Sequence, residues 1–387
     1  MGSPALRVLM APDSFKGSLT SVEVAHALAT GWSRARPEDE VALAPLADGG
    51  EGTLDAVAAA GGWASMPAAG RDPLMRPLDG RFLRQGARAI VELATASGLS
   101  RVAREERGPA AAAAATTLGT GQILAAAIGL GATDVVLGLG GSATTDGGTG
   151  LLTALGVRFL DSAGVDLPPG GGALDRLARV DLSGVPELLS EVRLTIASDV
   201  SNPLCGPLGA AATYGPQKGA DAGMVARLDA GLSHLADVLE AATGRSFRDV
   251  AGAGAAGGTT AGLLAIADRF ASFEIRPGVE LVMELTAFGE RLAASDLVLT
   301  GEGRIDEQTA FGKTALGVAR RAAAAGVRCV AFGGGVVPAG EAALLEVGCV
   351  TVPVVERPVT VEEAMAAGAA PLERAAERVA RLVSLGG

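Results

Sequence analysis

Lysine is nearly missing from this chain. Among 387 residues there are three, Lys16, Lys218 and Lys313, against 29 arginines, so the ordinary surface cation here is arginine. A lysine kept in such a background marks a place where a compact ammonium is wanted rather than a planar fork. All three are bonded to a glycine, in FKGS, QKGA and FGKT, and a point charge beside pliable backbone suits a phosphate. Histidine is down to His26 and His234, and cysteine to Cys205, Cys329 and Cys349 with no CxxC spacing. A Cys/His zinc site and a disulfide framework are therefore excluded, and the thiols suit a reducing, cytoplasmic setting. Both histidines read as structural or solvated groups.

Positive charge is short overall. A net charge of −11 argues against a broad grip on nucleic acid, so an anionic ligand has to be held by local cations. Long hydrophobic runs are missing too. The least polar stretch, Ala110 to Ala132, is alanine and glycine broken by Thr116, Thr117, Thr120 and Gln122, too weakly hydrophobic for a membrane span. The opening MGSPALRVLM has no apolar signal core, so neither export nor membrane attachment is expected.

What is abundant is Ala, Gly, Val and Leu, with 56 glycines, the composition of an α/β protein with tight turns. The length suggests two domains. Leu6 to Met10 reads as a strand, and Thr20-Ser21-Val22-Glu23 as a capping box opening a helix with Val24, Leu28 and Trp32 on one face. Val41 to Leu46 is a second strand, followed by a helix over Gly52 to Ala60. The rhythm returns late, with a helix from Pro277 through Leu292, strands at Leu297 to Thr300, Cys329 to Phe332 and Cys349 to Val355, and helices at Lys313 to Ala325, Gly340 to Glu346 and Val361 to Leu385. Strand signals between them are Ala89 to Leu93, Asp134 to Leu139, Val157 to Leu160 and Arg193 to Ala197. The expected fold is α/β: a flavodoxin-like parallel-sheet domain formed by both chain ends, residues 1–64 and 280–387, with a second α/β domain, 65–279, inserted. The active site is expected in the cleft between them, with hinges near Gly62 and Arg276.

In open parallel sheets ligands bind beyond the carboxyl ends of the strands, where strand order reverses. The loops at those ends carry Asp13, Ser14 and Lys16; Asp48 and Glu51; and Glu302, Arg304 and Asp306 in TGEGRIDEQT. Acids with a lysine describe a site for a magnesium-bound polyphosphate, since Mg²⁺ takes one or two carboxylates and leaves the rest to phosphate and water. Any single one of these acids is equally well a turn or helix cap. Gly312-Lys313-Thr314 has the ending of a P-loop, but Glu307 stands where the first glycine belongs, so only an anion-binding helix start survives.

In the central segment, GLGGSATTDGGTG from Gly138 to Gly150 offers backbone amides with Ser142 and Asp146, a cradle for phosphate or carboxylate. Gly138, Gly140 and Ala143, with Asp161 further on, also mimic a dinucleotide fingerprint, which keeps a nicotinamide-dependent oxidoreductase as a rival. ASDVSNPLCG places Asp199 at a strand end, GPQKGA supplies Lys218, and GAGAAGG from Gly252 has no titratable group.

The motifs APDSFKGSLT, PLADGGEGT, GGSATTDGG, DVSNPLCG, GPQKGA, GAGAAGG and TGEGRIDEQT with FGKT, in this order, resemble those of the type I glycerate kinase family, from about residue 7 to 380. The resemblance implies ATP-dependent phosphorylation of D-glycerate, with 2-phosphoglycerate as the product of bacterial members, and a two-domain α/β fold. Ser198, Ser201, Thr259 and Thr260 depart from the family pattern without removing a charged motif residue.

The expected division of labour follows from phosphoryl transfer, which asks for position and charge neutralisation. Lys16, Asp48 and Asp199 are the expected catalytic groups, with Asp199 the leading base. Ser14, Glu51, Ser142, Asp146, Lys218, Glu302, Arg304 and Lys313 are expected to bind substrate or phosphate, and Asp48, Glu51 and Asp306 the metal. Arg71 is a further candidate for the glycerate carboxylate. ATP and Mg²⁺ are the expected cofactor pair and D-glycerate the partner. A kinase for a related small hydroxy acid, 3-phosphoglycerate as product, a non-catalytic nucleotide sensor and assembly as a homodimer are left open.

Overall fold

The computed structural model describes residues 4–307 and 314–385. Its strands, in chain order, are β1 (Arg7–Met10), β2 (Glu40–Leu43), β3 (Ala64–Arg71), β4 (Pro77–Gln85), β5 (Arg88–Glu92), β6 (Asp134–Gly138) and β7 (Arg158–Leu160). The remaining strands are β8 (Arg179–Asp181), β9 (Arg193–Ala197), β10 (Ser272–Arg276), β11 (Leu297–Ile305), β12 (Arg328–Val336) and β13 (Cys349–Pro353). The chain divides into two compact units: Met1–Asp48, Asp55–Gly62 and Val279–Gly387 form the first, and Gly49–Leu54 and Trp63–Gly278 the second.

The first unit is built on one parallel sheet in the order β13-β12-β11-β1-β2. Counted within the unit, that is the flavodoxin-like order, with the reversal between β1 and β11. The helix Ser21–Ala35 starts where the sequence says it should: Thr20 N donates to Glu23 Oε2 at 2.8 Å and Glu23 N to Thr20 Oγ1 at 3.2 Å. Its apolar stripe of Val24, Leu28 and Trp32 is fully buried in a core shared with Val8, Met10, Leu299 and Phe332. Each such side chain contributes about 1.5–3 kcal/mol. Gly31 lets this helix lie directly on Ala370–Leu385, because a Cβ there would collide with the carbonyl of Glu373. Arg34 closes the same contact with a 2.6 Å ion pair to Glu373.

Two helices expected to be continuous are broken. Pro277 to Leu292 becomes Gly278–Leu285 and Phe288–Ala293, separated by Ala287 in the left-handed region at φ 51°. Val361 to Leu385 becomes Val361–Ala366 and Ala370–Leu385, with Gly368 at φ 60°.

The second unit holds a mixed sheet in the order β10-β9-β6-β5-β4-β3, parallel from β10 to β5 and antiparallel from β5 to β3. A two-stranded ribbon, β7-β8, stands beside it. The alanine-rich stretch after Gly108 forms two helices, Pro109–Ala114 and Leu118–Gly129, interrupted at Thr116 and Thr117. Ile123, Leu124, Ala127 and Ile128 of the second helix are buried against Val135, Leu137 and Leu151. Its length and apolarity are thus accounted for by the core of this unit.

Candidate functional site

At the reversal point of the first sheet, β1 and β11 stay paired past the end of β1, with Ala11 N donating to Leu299 O at 2.7 Å and Asp13 N to Gly301 O at 2.8 Å. Asp13 is therefore delivered to the carboxyl end of the sheet. Its Oδ1 accepts from Ser14 N at 2.6 Å, and its Oδ2 accepts from the hydroxyl of Thr314, first residue of the helix Thr314–Ala325, at 2.7 Å. Burial pushes the Asp13 carboxyl above its ordinary range and the Asp48 carboxylate adds to this, while Thr314, Ser14 and Lys16 pull the other way. Asp13, Lys16 and Asp48 are thus electrostatic neighbours, with Lys16 and Asp48 exposed and Asp13 partly buried. The motif pattern alone marks Asp13 only as part of its loop. Its position directly after the first strand, in Ala11-Pro12-Asp13, was the signal that should have singled it out.

Two further candidate acids lie at the end of β11, Glu302 within the strand and Asp306 directly after it. Glu302 is buried, opposite Gly333 of β12, and Asp306 pairs with the exposed Arg304 at 3.4 Å. Lys313 lies outside the described residues, as does the end of the TGEGRIDEQT motif.

In the second unit the glycine-rich loop after β6 is filled by the chain itself. Gly140 N donates to Gly49 O at 3.3 Å, and Cβ atoms at Gly138 and Gly140 would collide with Gly49 O and Gly50 Cα. A Cβ at Gly141 would sit 3.5 Å from Glu51 Cβ. Backbone stands where the dinucleotide reading needs a pyrophosphate, and the helix that follows, Thr149–Ala154, is six residues long. Asp161 is used in its own turn, accepting from Ala163 N and Val165 N at 2.9 and 3.0 Å. The oxidoreductase fingerprint is not formed.

Two residues expected to bind phosphate face inward instead. Asp146 is fully buried, and its carboxylate accepts from Thr116 Oγ1, Thr117 N, Thr117 Oγ1, Gly148 N and Gly150 N at 2.8–3.2 Å. Burial raises its proton affinity, and the bonds from Thr117, Gly150 and Gly148 restrain the rise. Three of these donors, from Thr116 and Thr117, tie the loop to the start of the helix Leu118–Gly129, and the other two, Gly148 N and Gly150 N, fix its own turn. Lys218 is 4% exposed, and its ammonium donates to Ser142 Oγ at 2.9 Å and to Thr144 O at 2.6 Å. Burial pushes it down to about 7 against the attraction of Asp146.

Asp199 is exposed just past the end of β9, and its Oδ1 accepts from Gly278 N at 2.8 Å. Arg71 donates to Met75 O at 3.1 Å, within its own hairpin. Glu92, at the end of β5, escaped sequence reasoning; it is buried and accepts from Leu54 N at 2.9 Å, which pins the segment carrying Glu51. A carboxylate closing the apolar run Ala89-Ile90-Val91 was its only trace. Among the described residues no cluster of three or more His, Cys, Asp or Glu side chains has the spacing of a metal cage.

Comparison with known proteins is consistent along the whole chain. The model of the glycerate kinase family matches residues 8–384. A glycerate kinase of Bacillus subtilis (strain 168) is 40% identical over 382 residues, covering 98% of each chain. A glycerate 2-kinase of Escherichia coli (strain K12) is 41% identical over 316 residues, 81% of each chain. Among solved structures, a Salmonella typhimurium LT2 protein described as a candidate glycerate kinase 2 superposes with a TM-score of 0.82 at 36% identity, covering 99% of both chains. With its reversal-point loop, its filled glycine loop and these matches together, the chain belongs to the glycerate kinase family.

Proposed function

We propose that this protein transfers the γ-phosphoryl group of ATP to the 2-hydroxyl of D-glycerate, giving 2-phosphoglycerate and ADP. Family membership over residues 8–384 supports the substrate pair. The observation that carries the chemistry is the group at the carboxyl end of β1, where a carboxylate with raised proton affinity, Asp13, is held by Thr314 beside Asp48 and Lys16. In the transfer the hydroxyl oxygen bonds to the γ-phosphorus, the bond from that phosphorus to the β,γ-bridging oxygen breaks, and the hydroxyl proton leaves to a carboxylate. Asp13 is our choice for that last role ahead of Asp199, because burial raises its proton affinity and Lys16 and Asp48 act on it directly. Lys16 faces the negative charge that moves onto the departing ADP.

The donor set fits Mg²⁺: Asp48 supplies a hard, exposed oxygen ligand beside a second carboxylate that gains from a nearby cation. Asp48 would hold the ion together with phosphate oxygens, and bound there it would neutralise phosphate charge. Glu51 in the second unit remains the proposed partner for the glycerate hydroxyl or the metal. Ser14, Glu302 and Arg304 in the first unit remain proposed substrate or phosphate contacts, and Asp306 a proposed metal ligand. A cytoplasmic location belongs to the same proposal, since Cys205, Cys329 and Cys349 are free thiols suited to a reducing compartment.

The test is ADP release with Mg·ATP and D-glycerate, followed by phosphorus NMR of the product. A 2-phosphoglycerate signal is expected. Turnover giving 3-phosphoglycerate overturns the regiochemistry alone, and no turnover with D-glycerate overturns the substrate.

A further inference from the structure

We infer that Lys218 is a positioning residue that reaches no substrate: by clasping Ser142 and Thr144 it fixes the glycine loop on which the Gly49–Glu51 segment rests, and so places the Glu51 carboxylate. The catalytic part of this rests on the phosphoryl-transfer reading above; the structural part does not.

A buried ammonium is a costly way to fill space, because it gives up hydration that an apolar side chain of similar volume never needs. Lys218 is nevertheless 4% exposed, in a chain that has only two other lysines. Its backbone is pinned as well. Gly219 is left-handed at φ 96°, and a Cβ there would come within 2.5 Å of Gly108 N, so the turn Pro216–Lys218 is held against that backbone and the side chain points one way. Asp146 is the charged group that acts on the ammonium from the loop it clasps.

Lys218 acts on this loop alongside other ties, among them Leu139 N to Ala197 O at 3.2 Å and the bonds of Thr117 to Asp146. From Gly138 to Ala143 it carries three glycines and one alanine, and it is stitched to the segment after β5 by Ala143 N to Ser97 O at 2.9 Å and Leu99 N to Gly141 O at 2.8 Å. Lys218 adds the bonds at the far side of the same loop, to Ser142 Oγ and Thr144 O. Gly138 and Gly140 then meet the backbone of Gly49 and Gly50 so closely that a Cβ on either would collide, and a Cβ on Gly141 would lie 3.5 Å from Glu51 Cβ. A continuous packed path therefore runs from the buried ammonium to an exposed carboxylate, without a side chain able to absorb a shift. The glycine beside Lys218 has a packing cause, and the glycines of the loop exist to let Gly49–Glu51 lie on them.

The test uses Lys218→Met, which keeps the volume and removes the charge and both donors. Hydrogen exchange, read first, needs no turnover: amides of Gly49–Glu51 and of the loop from Gly138 to Thr144 should exchange at least about tenfold faster. In turnover, kcat should fall at least about tenfold with both KM values within about threefold, and the same substitution in a Glu51→Gln background should cost less than about threefold. A tenfold rise in KM for ATP or glycerate that persists in full in the Glu51→Gln background would mean direct ligand contact and overturns the inference. Equal losses in both backgrounds, or unchanged exchange at Gly49–Glu51, overturn it too. Should Lys218→Met fail to fold, Ser142→Ala removes one acceptor and keeps the charge; faster exchange at Gly49–Glu51 is expected there, and unchanged exchange rejects the clasp. A wild-type protein inactive on glycerate would sink the proposed reaction, while the exchange result would still decide the path from Lys218 to Glu51.

Discussion

Asp13 and Thr314 lie 301 positions apart in the sequence and share a 2.7 Å hydrogen bond at the carboxyl end of β1. The bond joins the first strand's loop to the first residue of a late helix, so both ends of the chain meet in one carboxylate. Asp13→Asn should lower kcat by about 10²–10⁴-fold if this group takes the substrate proton. Its effect on stability should have the opposite sign. A carboxyl whose folded pKa is raised contributes most stability at low pH and loses it as pH rises through the folded value, above which burying the ionised group is a penalty. Asn removes that penalty while keeping the shape, and the variant should melt no lower than wild type at pH 7. Steady-state kinetics with a thermal melt checks both, and a large drop in melting temperature would show that the loss of activity is loss of fold.

Lys16 is exposed, unlike Lys218, and lies near enough to Asp13 to hold its proton affinity down. Lys16→Ala should lower turnover by about 10²–10³-fold, the usual effect of deleting one preorganised charge, with an unchanged melt. Lys16→Arg is the finer probe, because a planar guanidinium cannot replace a compact ammonium at a phosphate without moving the backbone. If the arginine variant turns over normally, compactness is not why lysine is there.

Much of the first unit is legible in the sequence because its signals are local. Thr20 and Glu23 are three residues apart and cap as a pair, and the strands before Asp13 and Asp48 end in turn residues. The second unit hides more. β3 is largely exposed and holds Pro67 and Gly70, so it shows neither an alternating nor a continuous apolar pattern, and it exists by antiparallel pairing with β4. Ala287 gives no warning of a left-handed break, since alanine favours helix on its own. The fate of Lys218 depends on Ser142 and Thr144, 76 and 74 positions away, and that of Asp146 on Thr116 and Thr117, 30 and 29 away. Motif reading takes such residues as ligands because it sees their charge and not their partners.

Asp146 offers a direct check on that point. Asp146→Asn keeps the size but replaces one acceptor oxygen with a donor among the surrounding N–H and O–H groups. Each buried donor left unpaired costs about 1–3 kcal/mol, so the variant should unfold at clearly lower denaturant concentration. A phosphate ligand would behave differently, losing ATP affinity with stability intact, and chemical denaturation beside an ATP titration separates the two.

Arg36 and Asp39 form a buried ion pair in the first unit. Their side chains are 1% and 0% exposed, with Arg36 Nε donating to Asp39 Oδ2 at 2.6 Å and Nη2 to Oδ1 at 2.9 Å. Trp32 Nε1 and Leu6 N also donate to the same carboxylate, at 2.8 and 2.9 Å. Burial works against the charge, but the bonds from Arg36, Leu6 and Trp32 outweigh it and hold Asp39 below the usual carboxylate range. A lowered folded pKa means that the stabilisation is present above the ordinary carboxylate range and is lost as pH falls through the lowered value. Asp39→Asn leaves the guanidinium buried without its counter-charge, which should cost about 3–5 kcal/mol near neutrality. The deficit should shrink as pH falls, because the wild type loses its own carboxylate there. Urea unfolding at pH 7 and at successively lower pH measures the gap, and a gap that stays constant with pH would assign the stabilisation to hydrogen bonding alone, without a contribution from the Asp39 charge.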